Sequence, residues 1–301
     1  MEKIQVIINP SSGDENYLEI RNRLKRIFHK KKIKSSFYET KGNDNFHDII
    51  KESVKNDYKK VVLSGGDGTI SEFVNGIAEL EKRPEIILLP SGTTNNFART
   101  ISSDKTENEV LQALEEDRLV KKKVDLGYIN NQYFISSIAL GMLPTVGWKT
   151  DKELKAELGS FAYLLEGFKL MKEEEQKSFD LKIELEEESI VIEDVFLFIV
   201  ALSNSIFGIK TFFDKAEIND GNLHFFALKK SGVLPELSSL VKQITKKEDK
   251  DDEFRITGDF KKARIESNTE LPFLMDGEKG LSFPAEIEVL ANELTFLVPK
   301  E

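Results

Sequence analysis

"KKVVLSGGDGTISEFVNGI", residues 59–77, decides how the chain is read. Val61, Val62 and Leu63 lead into Gly65-Gly66-Asp67-Gly68-Thr69, after which Ile70, Phe73, Val74 and Ile77 recur at helical spacing. A short continuous apolar run followed by an amphipathic helix reads as a strand buried on both faces and a helix covering it. Glycines at such a turn let the backbone approach a ligand, because no Cβ intervenes. The helix N-terminus offers unpaired N–H groups and a positive dipole end, which suit a phosphate. The spacing is neither that of a P-loop nor that of a dinucleotide fold. Asp67 stands where a phosphate would come, so it makes sense there only with a cation such as Mg²⁺ between the two anions. The competing reading is a plain strand-to-helix turn, with Thr69 as N-cap and Glu72 completing a capping box.

Outward from this stretch the same pattern repeats. "KIQVII" (3–8), "SSFYET" (35–40) and "EIILLP" (85–90) read as strands. Ile20, Leu24, Ile27 and Phe28 mark one helix, and Phe46, Ile49, Ile50 and Val54 another. The expectation is a three-layer α/β nucleotide-binding domain over residues 1–122 with a mostly parallel sheet. From Lys122 the texture changes to closely spaced strands rich in β-branched and aromatic residues, such as "QYFISSIALG" (132–141) and "NLHFFALKK" (222–230). One helix is predicted over 153–175. This half, 123–290, reads as a β-sandwich, so the fold class is α/β plus β.

Composition narrows the function classes. The 301 residues are 40% hydrophobic and 32% charged, as in a globular protein. With no cysteine, disulfides and thiolate metal sites are excluded, and three scattered histidines make a structural zinc a poor fit. The net charge of -10 argues against nucleic acid. The longest apolar run, 195–209, is interrupted at Ser203-Asn204-Ser205 and falls short of the roughly 20 residues of a membrane span. No secretory signal precedes "IQVIINP", so a cytoplasmic protein touching membranes only from its surface is expected. The basic runs "HKKKIK" (29–34) and "KKK" (121–123) read either as solvated element ends or as a patch for anionic lipid. The mixed-sign run at 246–253 reads as a solvated loop.

Four motifs then fall in order: "NPSSG" (9–13), "GGDGTISEFVNGI" (65–77), "GTTNNFAR" (92–99) and "DGE" (276–278). Together they resemble the diacylglycerol kinase catalytic family, specifically its bacterial soluble lipid kinases, within the NAD kinase/diacylglycerol kinase-like superfamily. The resemblance implies a return of the last strand, about 291–301, to the N-terminal domain. It implies ATP binding by Asn9, Pro10, Ser11, Ser12 and Gly13, by Thr40, by Gly65, Gly66, Asp67, Gly68, Thr69, Ile70, Ser71 and Glu72, and by Thr93 and Asn95. It makes Glu278 the general base that takes the proton of a lipid hydroxyl as that oxygen attacks the γ-phosphorus. It implies a structural Mg²⁺ in the β-rich half at Glu217, Asp220 and Asn222. Read without the family, "DGE" is a hairpin turn and "NPSSG" a simple turn or a backbone nest.

The resemblance departs at one position. The bacterial form of the second loop is Gly-Thr-x-Asn-Asp-Phe, and here Asn96 stands where the aspartate is expected. The amide keeps the shape and loses the charge. If that charge helps hold a metal–water network, its loss costs about 10–100-fold in affinity or rate. Three alternatives to the diacylglycerol reading follow: a catalytically weak or inactive nucleotide- or lipid-binding relative, a kinase for a sphingoid base, and an NAD kinase. The last lacks its second glycine-rich element. The lipid partner implies transient docking at a membrane surface, and sandwich edges leave a homodimer open.

Overall fold

Val61, Val62 and Leu63 are fully buried in β3 (Lys60–Gly65), the strand that leads into the glycine turn. The computed structural model describes residues 2–12, 17–42, 44–91, 95–102, 105–141, 178–205, 213, 216–232, 253–270 and 272–300. Gly13, Gly92–Thr94, the helix expected over 153–175, the tail of the apolar run at 206–209 and residues 246–252 lie outside them. The chain forms two units, Met1–Val124 with Asn292–Glu301, and Asp125–Ala291.

In the first unit β1 (Lys3–Ile8) lies between β3 and β2 (Lys34–Glu39), and β4 (Glu85–Pro90) flanks β3, all parallel. α1 (Tyr17–Lys30) buries all four residues marked in the sequence, Ile20, Leu24, Ile27 and Phe28, against Ile4, Val6, Ile8, Val62 and Ile87. α5 (Glu107–Glu115) adds Val110, Leu111 and Leu114 to the same cluster, and a full Thr106–Glu109 capping box starts it. α2 (Phe46–Lys55) and α3 (Asp67–Ala78) pack on each other through Phe46 and Phe73, edge to face at 5.9 Å. Continuous apolar strands here reflect helix cover. The last strand, β15 (Ala285–Pro299), meets β4 in parallel at Phe296 and Ile86, and the Phe296 ring packs 5.7 Å from that of Phe97. Both basic runs are tied into this unit. Lys30 reaches Glu115 at 3.3 Å, Lys31 reaches Asp117 at 2.6 Å, Lys121 pairs with Glu85, and Lys122 donates to the Ile101 carbonyl at 3.0 Å.

The second unit is built on antiparallel pairings. β9 (Ser189–Ala201) is its axis, pairing with β8 (Phe179–Glu184) along its first half, with β7 (Ser137–Gly141) along its second, and with β10 (Leu223–Lys229). β11 (Arg255–Phe260) pairs with β10, and β12 (Lys262–Ser267) joins β8 to β15. The apolar run from Val195 is thus a fully buried strand as far as Ala201. The stretch 132–141, expected as one strand, is two: β6 (Gln132–Phe134) and β7, with a break at Ile135-Ser136. The break has a cause outside the stretch, since the N–H groups there are taken by a distant carboxylate described below.

β5 (Leu119–Ile129) and β6 form a hairpin in which Gly127 faces Phe134. A Cβ on Gly127 would lie 2.1 Å from Phe134 Cζ, and the ring is 0% exposed. Gly127→Ala is expected to lower unfolding stability by about 1–3 kcal/mol through overpacking, measured by urea denaturation. Phe134→Leu placed on top should recover part of that loss.

Candidate functional site

α3 starts directly at Asp67. Its N-cap is Gly66, with extended backbone and no side-chain cap, so Thr69 lies in the first turn and is not the cap, and the capping box with Glu72 does not form. Thr69 is placed for another contact. Asn9 at the end of β1 donates from Nδ2 to Thr69 Oγ1 at 2.8 Å, and its own N–H donates to the Ser64 carbonyl at 2.9 Å. Asn9 also closes its turn, since Oδ1 accepts from the Ser11 N–H at 2.9 Å and its carbonyl accepts from Ser12 Oγ at 3.0 Å. Pro10 and Ser11 sit in that turn, Ser11 exposed. A Cβ on Gly65 would come within 2.7 Å of Thr69, so only glycine fits the approach.

Asn9, Thr40, Gly68, Thr69 and Glu72 line one cavity of about 190 Å³, together with Gly42, Asp44 and Phe46. Thr40 is held there by its N–H to the Ile8 carbonyl at 2.9 Å. Asp44 went unmarked in the sequence. Its carboxylate accepts from the Tyr38 hydroxyl and from the Lys41 N–H, both at 2.5 Å, which fixes the loop between β2 and α2. That hydrogen bond, followed by burial and the carboxylate's charge, holds the Tyr38 phenol above its ordinary range. Ile70 contributes nothing to the cavity, because its side chain is in the core and its N–H donates to the Gly66 carbonyl at 3.1 Å. Ser71 faces along α3, its carbonyl accepting from Asn75 Nδ2 at 3.0 Å.

The second loop is bound to the first by Asp67, whose Oδ1 accepts from the Phe97 N–H at 3.2 Å. That N–H belongs to the first turn of α4 (Asn96–Ile101), whose N-cap residue Asn95 is left-handed at φ 51° and makes no side-chain cap bond. A carboxylate at a helix N-terminus is favourable in itself. Asn95 is buried at 7% exposed, and asparagine tolerates the left-handed region well. Three hydroxyls run beside the loops: Ser64 Oγ to Ser91 Oγ at 3.2 Å, and Ser91 Oγ to Ser12 Oγ at 3.1 Å.

In the second unit, "DGE" is a hairpin. β13 (Leu274–Met275) pairs with β14 (Glu278–Lys279) across Asp276-Gly277, at φ 51° and 91°. Positive φ at both turn residues is the two-residue geometry that Asp-Gly favours. The Asp276 carboxylate accepts from the N–H groups of Ile135, Ser136 and Ser137 at 2.9, 2.8 and 3.1 Å, which interrupts the strand at 135–136. These three bonds of Asp276, two residues before Glu278, could not be read from the Asp-Gly-Glu motif itself. Glu278 begins the returning strand with an exposed side chain. The turn with Glu217, Asp220 and Asn222 is closed by the Asp220 carboxylate, which accepts from the N–H groups of Glu217 and Asn222, each at 2.9 Å, and faces His224 Nε2 at 2.9 Å. Its donors are oxygens, the type Mg²⁺ takes, with one carboxylate among backbone carbonyls. Among the described residues no cluster of three or more His, Cys, Asp or Glu is placed to hold a metal.

The model of the "Diacylglycerol kinase catalytic domain" family matches residues 3–129. A diacylglycerol kinase of Staphylococcus aureus (strain bovine RF122 / ET3-1) is 31% identical over 304 residues, spanning 100% of this chain and 93% of the relative. The chain belongs to the diacylglycerol kinase catalytic family. A second relative carrying the diacylglycerol kinase name, from Staphylococcus haemolyticus (strain JCSC1435), is 30% identical over 99% of this chain and 88% of its own length. The crystal structure of a diacylglycerol kinase from Bacillus anthracis str. Sterne matches with a TM-score of 0.77 at 27% identity, covering 98% of this chain and 96% of that one. The family likeness therefore extends through both units. Among the described residues no helix is long and apolar enough to cross a membrane.

Asp276→Asn in this family member replaces two acceptor oxygens by one. It is expected to cost about 1–3 kcal/mol, because at least one buried N–H loses its partner. Urea denaturation reads the loss, and faster hydrogen exchange at Ile135–Ser137 locates it.

Proposed function

We propose that the chain transfers the γ-phosphate of ATP to the hydroxyl of diacylglycerol, giving phosphatidic acid. The observation that carries the nucleotide half is the cavity where Asn9, Thr40, Gly68, Thr69 and Glu72 converge at the start of α3. Of the residues implied by resemblance, these five share a single wall although they lie on three separate stretches of sequence. The unpaired N–H groups and dipole of the α3 N-terminus suit the phosphates, and Asn9 with Thr40 suits the ribose or phosphate oxygens. Mg²⁺ bound with ATP supplies charge neutralisation on the transferring group, and Asp67 is the carboxylate beside the phosphate loop that would hold it.

Glu278 acts as the general base. The acceptor oxygen forms its bond to the γ-phosphorus, the bond from that phosphorus to the β–γ bridging oxygen breaks, ADP leaves, and the hydroxyl proton passes to the Glu278 carboxylate. Asp276 orients Glu278 through the pinned hairpin. The N-terminal unit is read as the three-layer nucleotide-binding domain, and the antiparallel unit as a sandwich carrying the lipid end. The turn at Glu217, Asp220 and Asn222 would seat a structural Mg²⁺ through the Asp220 carboxylate and the carbonyls of Glu217 and Asn222. Since diacylglycerol resides in bilayers, the enzyme works from the cytoplasmic membrane surface.

Transfer of labelled γ-phosphate from Mg·ATP to lipids in mixed micelles tests the reading. Wild type is expected to label diacylglycerol in preference to a sphingoid base and to leave NAD unlabelled. Glu278→Gln should lose at least about 100-fold in kcat with nucleotide affinity unchanged. Asn96→Asp is expected to raise turnover, within the roughly 10–100-fold that a metal-supporting charge provides. Silence from wild type with activity appearing in Asn96→Asp would mean that the chain kept the fold and gave up the chemistry.

A further inference from the structure

β1 and β2 carry an unexpected polar stripe. In register, Lys3 faces Lys34 and Gln5 faces Ser36, with Tyr38 next along the same side of β2. A covered parallel sheet ordinarily carries apolar side chains at such positions. Here these five residues wall a cavity of about 390 Å³ at the edge of the sheet, closed by Glu52 and Ser53 from α2, by its C-cap Asn56 and by neighbours of theirs. It is distinct from the nucleotide cavity, with which it shares no lining residue.

Its polar groups are only partly committed. The Lys3 ammonium donates to the Asn56 carbonyl at 2.7 Å, and the Lys34 ammonium takes part in no ion pair among the described residues. Gln5, 5% exposed, has two long hydrogen bonds, from Nε2 to the Val6 carbonyl at 3.3 Å and to Oε1 from Ser53 Oγ at 3.4 Å. Two lysines paired in register on one cavity wall suit a doubly charged anion. The Glu52 carboxylate only accepts hydrogen bonds, so it favours a hydroxyl on the ligand and disfavours a second anionic group.

We propose that this edge cavity binds a small hydroxylated phosphate monoester, its phosphate between Lys3 and Lys34 and its hydroxyls toward Glu52 and Ser36, and that Tyr38 and Asp44 link it to the nucleotide cavity. The link is a direct contact. Tyr38 lines the edge cavity while its hydroxyl donates to Asp44, which lines the other. Displacing Tyr38 removes one of the two donors to Asp44 among the described residues, the other being the Lys41 N–H. This second half rests on the nucleotide reading given above, and the binding half does not.

Isothermal titration of the full chain with glycerol 3-phosphate tests the site. Saturable binding is expected in wild type and in Tyr38→Phe, weakened about 10-fold or more in Lys34→Ala, with each variant's folding checked by circular dichroism. No saturable binding by wild type, or unchanged affinity in Lys34→Ala, overturns the site. Vesicles carrying a phosphate-monoester lipid form a separate arm, and Lys34-dependent vesicle binding without binding of the free monoester overturns a soluble ligand. For the link, saturating glycerol 3-phosphate should change the Kd of a non-hydrolysable ATP analogue by about 5-fold or more in wild type and not in Tyr38→Phe. An unchanged Kd overturns the link. If the analogue fails to bind at all, the link falls with the nucleotide reading, while the monoester site stands or falls on its own titration.

Discussion

Thr69 lies so close to Gly65 that no side chain fits between the end of β3 and the first turn of α3. This contact sets the path of the chain from strand to helix, and other contacts build on it. Thr69 Oγ1 is thereby presented to Asn9, whose backbone N–H is already engaged with Ser64 on the neighbouring strand. Two strand ends and one helix start are fixed within a single turn of chain. The cavity walls therefore exist before any ligand arrives, and preorganised walls spare a ligand the cost of ordering them. Asp67 extends the arrangement to α4 by accepting from the Phe97 N–H, so the starts of α3 and α4 are joined by a side chain.

The second unit uses the same device with different chemistry. A carboxylate at the tip of a two-residue turn collects three consecutive N–H groups from a segment 139–141 residues away in sequence. Charge-assisted bonds to a carboxylate are stronger than neutral ones, and three of them explain why a strand is given up at Ile135-Ser136. The exposed carboxylate of Glu278 consequently stands on a rigid base, although its own side chain faces solvent.

How much of this was legible follows from the range of the forces involved. Parallel strands and their helices were readable because burial writes a local period, and Ile20, Leu24, Ile27 and Phe28 are all in the core as their spacing demanded. Ile49 and Val54, marked by the same rule, are only half-buried, and Ile49 lies against the polar stripe of β1 and β2. The competing reading, with Thr69 as the cap of α3, is set aside by the start of the helix at Asp67, because Thr-x-x-Glu capping patterns and helix interiors share residues. The contacts of Asp44 and Asp276 went unread for a related reason. Each looks like a turn residue in its own neighbourhood, and its partners declare themselves only when distant or differently folded segments meet. The roles proposed for Glu278 and for the turn at Asp220 came from resemblance, since an exposed Asp-Gly-Glu hairpin has no local mark of chemistry.

The three serines beside the loops add a property of their own. Ser12 donates to the Asn9 carbonyl and Ser64 donates to Ser91, so with one proton per hydroxyl the proton of Ser91 is the one that remains to be placed. Within this row the acceptor left for it is the oxygen of Ser12, 3.1 Å away. Rotation about a single bond turns it elsewhere with every other hydrogen bond in the row kept. The row thus holds one donor whose direction can change without any movement of the backbone.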